Sequence, residues 1–62
     1  MNSNEVLPKD PFILYSFINT RLRDFYPSLD HLCADMQISK EELNYQLNHF
    51  GFTYDETKNQ FV

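Results

Sequence analysis

Residues 28–52 read S-L-D-H-L-C-A-D-M-Q-I-S-K-E-E-L-N-Y-Q-L-N-H-F-G-F, and this stretch predicts two short helices joined by a tight turn. Ser39 is placed to cap the second helix, and Glu42, three residues on, can reach back to complete a capping box. Ile38 before the cap and Leu43 after it have the spacing of a hydrophobic staple, which sets the angle at which the chain enters the helix. Gly51 supplies a left-handed stop, and Phe52 beyond it can fold back on Leu47. The whole has helix-turn-helix-like spacing.

Working outward, Ser28 caps the first helix of this pair after Tyr26-Pro27, where the proline disfavours helical geometry at Tyr26. At 100° per residue Leu29, Leu32, Cys33 and Met36 share an inner face, while Asp30, His31, Ala34 and Asp35 point outward. The helix after the turn sends Leu43, Leu47 and Phe50 inward and presents Glu41, Asn44, Tyr45 and Asn48. Upstream, Asp10-Pro11 pairs a capping carboxylate with proline at the first helical position, so a further helix starts there. Its apolar side collects Leu14, Phe17, Ile18, Leu22 and Phe25, with Phe12, Asn19 and Arg23 opposite. Arg21 interrupts that side. It either lays its stem across the core edge or forms a partly buried ion pair. Residues 1–9 form an arm, with Val6 and Leu7 on the domain and the first polar residues mobile. Residues 52–62 predict a small hairpin in which Phe52, Tyr54 and Phe61 share a face. Asp55 suits its first turn position, and Asn59 suits a positive φ. Two strands this short must lean on the helices to persist.

The bulk composition restricts function. Sixty-two residues make one domain near the lower size limit for a core without staples, and ten aromatic residues compensate in part. A formal charge of −4 argues against general affinity for nucleic acid or an anionic membrane. The lone Cys33 permits no intramolecular disulfide and fits a reducing cytoplasm. Neither a signal peptide nor a membrane span is legible.

Chemistry is sparse. His31 and Cys33 are close in sequence but diverge on the helix, one outward and one inward, so no metal set converges. Cys33 reads as a small core residue. A cysteine nucleophile would need an exposed pocket that so small a chain has little room for. The single glycine is a helix stop, which leaves no phosphate loop, and Glu41-Glu42 is explained by helix capping and dipole. No catalytic residue, cofactor or metal is therefore expected, and the protein is not expected to be an enzyme. DNA binding is the natural thought for such a motif, with the second helix in the major groove. Residues 28–52, however, hold four acids against one base, Lys40, a net charge of −3 that repels phosphates. Asn44, Gln46 and Asn48 could bond bases, but Lys9, Arg21, Arg23 and Lys58 would have to position the duplex from elsewhere. Tyr45, flanked by Glu41, Asn44 and Asn48, has instead the composition of a protein-binding patch, unless the arm or the hairpin covers it.

With these residues in place, the chain resembles a small bacterial family of unknown function, numbered four-two-five-zero. The likeness rests on L-P-K-D-P at 7–11, N-T-R-L-R-D at 19–24, S-L-D-H-L-C at 28–33, and Y-D followed by N-Q-F near the end. It implies a stand-alone domain of this length and carries over neither an activity nor a functional residue. Against the helix-turn-helix pattern, Cys33 replaces the usual small alanine and Gln37 the usual turn glycine. The expected fold is mainly α: a three-helix bundle over 10–51, helix-turn-helix-like in its second and third helices, closed by a C-terminal hairpin in a winged-helix-like arrangement. The expected role is a cytoplasmic module that binds a protein partner through Glu41, Asn44, Tyr45 and Asn48. A DNA-binding regulator is the alternative, and a small enzyme or metal protein a distant third.

Overall fold

The structure, a computed structural model, describes residues 7–62. Its elements are α1 (Pro11–Asp24), α2 (Leu29–Met36), α3 (Lys40–His49), β1 (Tyr54–Asp55) and β2 (Gln60–Phe61). Each helix begins where a side-chain oxygen meets the otherwise unpaired N–H groups of the first turn. Asp10 Oδ1 accepts from the Phe12 and Ile13 N–H groups at 2.9 and 3.2 Å. Ser28 Oγ accepts from the His31 N–H, and Ser39 Oγ from the Glu42 N–H, both at 3.2 Å. Leu7 packs partly buried against the core. The expectation for Val6 and the polar residues before it lies outside the described residues.

Left-handed residues end the second and third helices. Gly51, at φ 94°, closes α3. Its N–H bonds the Asn48 carbonyl at 3.0 Å and the Phe52 N–H bonds the Leu47 carbonyl at 2.9 Å, the paired pattern of a Schellman stop. Gln37 ends α2 in the same left-handed region, at φ 58° and ψ 47°, and the Ile38 N–H reaches the Cys33 carbonyl at 2.9 Å. The tight turn therefore forms without glycine, at the steric cost that a Cβ imposes there. Gln37→Gly is expected to stabilise the fold by about 0.5–1 kcal/mol, since relief of that strain exceeds the added unfolded-state entropy. A thermal melt should rise by several degrees; an unchanged or lower midpoint would show that the Gln37 side chain contributes something else.

The core consists of Leu14, Ile18, Leu22, Leu29, Leu32, Cys33, Leu43, Leu47 and Phe61. Two residues expected inside are not. Phe25 is 65% and Phe50 53% exposed. Each is the residue just past a helix end, with φ −128° and −104° respectively, so extending the helical projection by one residue misplaces the ring. Asn19, expected to face away from the core, is half-buried. The cause is the hairpin, which packs on the Tyr15 and Asn19 side of α1 and rotates the buried arc toward that flank.

The hairpin is antiparallel, with Tyr54 opposite Phe61 and Asp55 opposite Gln60. Thr53 and Val62 exchange both backbone hydrogen bonds, at 3.0 and 2.8 Å. Asp55 Oδ1 accepts from the Thr57 and Lys58 N–H groups, which makes the turn. Asn59 takes the positive φ, 53°. Two asparagines then fasten the hairpin to α1. Asn19 bonds both backbone groups of Phe61, accepting from its N–H at 2.7 Å and donating to its carbonyl at 3.0 Å. Asn59 Nδ2 donates to the Leu22 and Tyr26 carbonyls at 3.3 and 3.0 Å, satisfying carbonyls at the end of α1. Tyr54 Oη donates to Asn59 Oδ1 at 2.5 Å and accepts from the Leu29 N–H, so the hairpin also meets the start of α2. Phe52 stacks on Tyr15 with ring centres 4.1 Å apart. Among the described residues, no helix is long and apolar enough to cross a membrane.

Candidate functional site

Tyr45 stands on the outer side of α3, 72% exposed. Neither Leu7–Asp10 nor the hairpin covers it. Its ring lies over His49, one turn along, with centres 6.2 Å apart and planes 29° from parallel. His49 in turn meets Phe50 edge-on at 5.2 Å. Helix geometry sets this row, because residues four apart share a face, and the Schellman stop then leaves Phe50 outside. Of the other residues expected at the site, Glu41 and Asn48 are exposed and Asn44 is half-buried. They lie on one flank of Tyr45.

The concavity lies on the other flank. Lys9, Pro11 and Leu14, at the start of α1, face Tyr45, Gln46, His49 and Phe50 across an open groove of about 280 Å³. The start of α1 is thus a wall of the site that reading α3 alone omits. His49 was legible as the i+4 neighbour of Tyr45. Phe50 was not, because the projection placed it in the core.

Elsewhere the chemistry is structural. Cys33 is buried, and burial pushes its thiol up, away from the reactive thiolate. His31 is exposed, with Nδ1 2.7 Å from Ser28 Oγ. Among the described residues no three His, Cys, Asp or Glu side chains gather as a metal set. The cations are largely engaged. Lys40 Nζ sits 2.7 Å from Asp30 Oδ1, bridging the starts of α3 and α2. That contact holds the Asp30 carboxyl below its usual range, so its small stabilisation is present near neutral pH and fades as acid titrates the lowered group. Arg23 pairs with the adjacent Asp24 at 2.9 Å. The Arg21 guanidinium lies over the rings of Phe17 and Phe25, 4.9 and 5.6 Å from their centres. A second, more polar concavity of about 610 Å³ runs between α1 and the hairpin, where Arg23 and Lys58 share its lining with Asn19, Thr20, Tyr26 and Asn59.

The family described as "Domain of unknown function (DUF4250)" matches residues 8–61. The chain belongs to it. Membership extends over all three helices and the hairpin, and brings no assigned function to any residue of the α3 groove. No curated protein and no solved structure matches the chain.

Proposed function

We propose that this DUF4250 domain is a non-enzymatic cytoplasmic interaction module that holds a protein partner on α3, with Tyr45 as the anchor. The observation that carries the reading is the exposed Tyr45 ring, braced by His49 and bordering a groove with an apolar floor at Pro11, Leu14 and Phe50. A braced aromatic loses little side-chain entropy on binding, and such residues often dominate interface energy. Glu41, Asn44 and Asn48 provide a polar rim on the opposite flank, while Lys9 and His49 border the groove itself. A partner that inserts an apolar side chain between Tyr45 and Phe50 fits this arrangement. The alternative, a DNA-binding regulator, is disfavoured by charge. Lys40, the one base between residues 28 and 52, already faces Asp30, which leaves no cation on α3 to meet a phosphate.

Tyr45→Ala is expected to leave stability within about 0.5 kcal/mol, as exposed substitutions usually do. The same change should weaken binding of a partner recovered from the native cell and then purified by tenfold or more. Calorimetric titration of that partner against both proteins makes the comparison. A stable Tyr45→Ala protein that keeps every partner at full affinity would remove the α3 reading. A micromolar, salt-sensitive shift of duplex DNA would promote the regulator in its place.

A further inference from the structure

The α3 groove carries a charge opposite in sign to that of the chain. The formal net charge is −4, from nine acids against five Lys and Arg. Among the described residues that line the groove, however, Lys9 brings a positive charge, His49 brings an imidazole, and there is no Asp or Glu. Lys9 is exposed and enters no ion pair among the described residues, whereas Arg23 and Lys40 are held by Asp24 and Asp30. The acids nearest in sequence are placed elsewhere. Asp10 turns Oδ1 to the first N–H groups of α1. Glu41 lies on the other flank of Tyr45, and Glu42 stands one turn before Gln46, outside the lining.

We infer that the segment held in this groove is acidic as well as apolar: a large apolar side chain seated between Tyr45 and Phe50, with a carboxylate beside it that meets Lys9. The inference rests on the α3 reading and names the chemistry of its partner. Size favours a protein segment over a metabolite. The groove is open and holds about 280 Å³, below the ~300–1,000 Å³ of sites that enclose a small molecule. Charge then selects among segments. A basic segment is attracted by the net charge at long range, but in the groove it sets its cation against Lys9. An acidic one is repelled at long range, yet that repulsion is screened beyond about 8 Å at physiological salt. Within contact distance the unpaired lysine decides, and it favours a carboxylate.

The test uses the full chain and synthetic eight-residue peptides built around a central Phe, with Glu, Gln or Lys placed on one side of it. Titration followed by amide shifts measures each affinity. The better of the two Glu placements should bind about twofold to fivefold more tightly than its Gln counterpart, the range of a solvent-exposed ion pair. The Lys peptides should bind more weakly than either, and added salt should shrink the differences. Lys9→Glu is the discriminating variant. It precedes the α1 cap at an exposed position where a carboxylate suits the helix start, so folding is retained. It should reverse the order, so that the Lys peptides bind best. Lys58→Glu, which makes the same change in net charge on the hairpin, should leave the order as it is in the parent. Tyr45→Ala should weaken all three series alike.

An absence of acidic preference in the parent would overturn the inference, as would a preference that survives Lys9→Glu or is equally lost in Lys58→Glu. So would a failure of every peptide to bind at about 1 mM. Glu and Gln peptides that bind equally, and are both lost in Tyr45→Ala, would sink this inference while leaving the α3 reading in place. An acidic preference indifferent to Tyr45→Ala would put the segment outside the groove and overturn both.

Discussion

Phe61→Ala is expected to cost about 3–5 kcal/mol, the usual penalty for deleting a fully buried phenylalanine. Phe61 is the largest side chain wholly enclosed in the core and the one core residue supplied by the hairpin. Its ring meets Tyr54 at 5.5 Å, and its strand is fastened to α1. Alanine leaves the backbone bonds to Asn19 available but opens a cavity beneath them, walled by α1. A 62-residue domain holds roughly 3–9 kcal/mol in total, so this one change removes about a third of the stability or more. Urea titration followed by circular dichroism measures it. Phe61→Leu, which refills most of the volume, should cost much less. Removing residues 60–62 should cost at least as much as Phe61→Ala. A Phe61→Ala protein that melts within a few degrees of the parent would mean that the hairpin is not what closes the core.

The second large effect is expected at Asn59, a half-buried turn residue. Asn59→Ala removes the donor to the Leu22 and Tyr26 carbonyls and the acceptor for Tyr54, and places a Cβ-bearing residue without a compensating side-chain bond at φ 53°. Leaving partly buried polar groups unpaired costs about 1–3 kcal/mol, and the left-handed backbone adds about 1 kcal/mol more for alanine. A total near 3 kcal/mol is expected. Asn59→Gly separates the two contributions, because glycine accepts the conformation but supplies no hydrogen bond. It should therefore fall between the parent and the alanine variant. If glycine proves as stable as the parent, the bonds to α1 contribute nothing and only the turn geometry matters.

Much of this architecture was legible because it depends on local chemistry. The helix starts at Asp10, Ser28 and Ser39, the stop at Gly51 and the positive φ at Asn59 each follow from one or two residues and their immediate neighbours. The inner face of α2 was likewise complete in its periodicity. What escaped depends on partners distant in the chain. Asn19 reads as a solvated polar residue on any helical projection, and only a backbone 42 residues away makes it a half-buried anchor. Phe25 and Phe50 were misplaced for the opposite reason, since each lies one residue beyond the helix whose periodicity was extended to it. The α3 site divides in the same way. Tyr45 and its rim of Glu41, Asn44 and Asn48 could be read from the helix, whereas the groove wall at Lys9 and Pro11 exists only once α1 and α3 are packed together.

The bond pair between Asn19 and Phe61 also bears on the order of events as the chain is made. Helical bundles usually fold fast because their contacts are local and need little loop closure. Here all three helices have been synthesised before residue 61 appears, yet the core lacks its central aromatic ring and Asn19 lacks its partner until then. A nascent chain ending near Lys58 would hold its helices loosely, with Leu14, Ile18 and Leu22 incompletely covered. The final locking step then waits on the long loop between residues 19 and 61. The hairpin thus completes a core that the three helices alone leave open, and adds one long-range closure to an otherwise locally connected bundle.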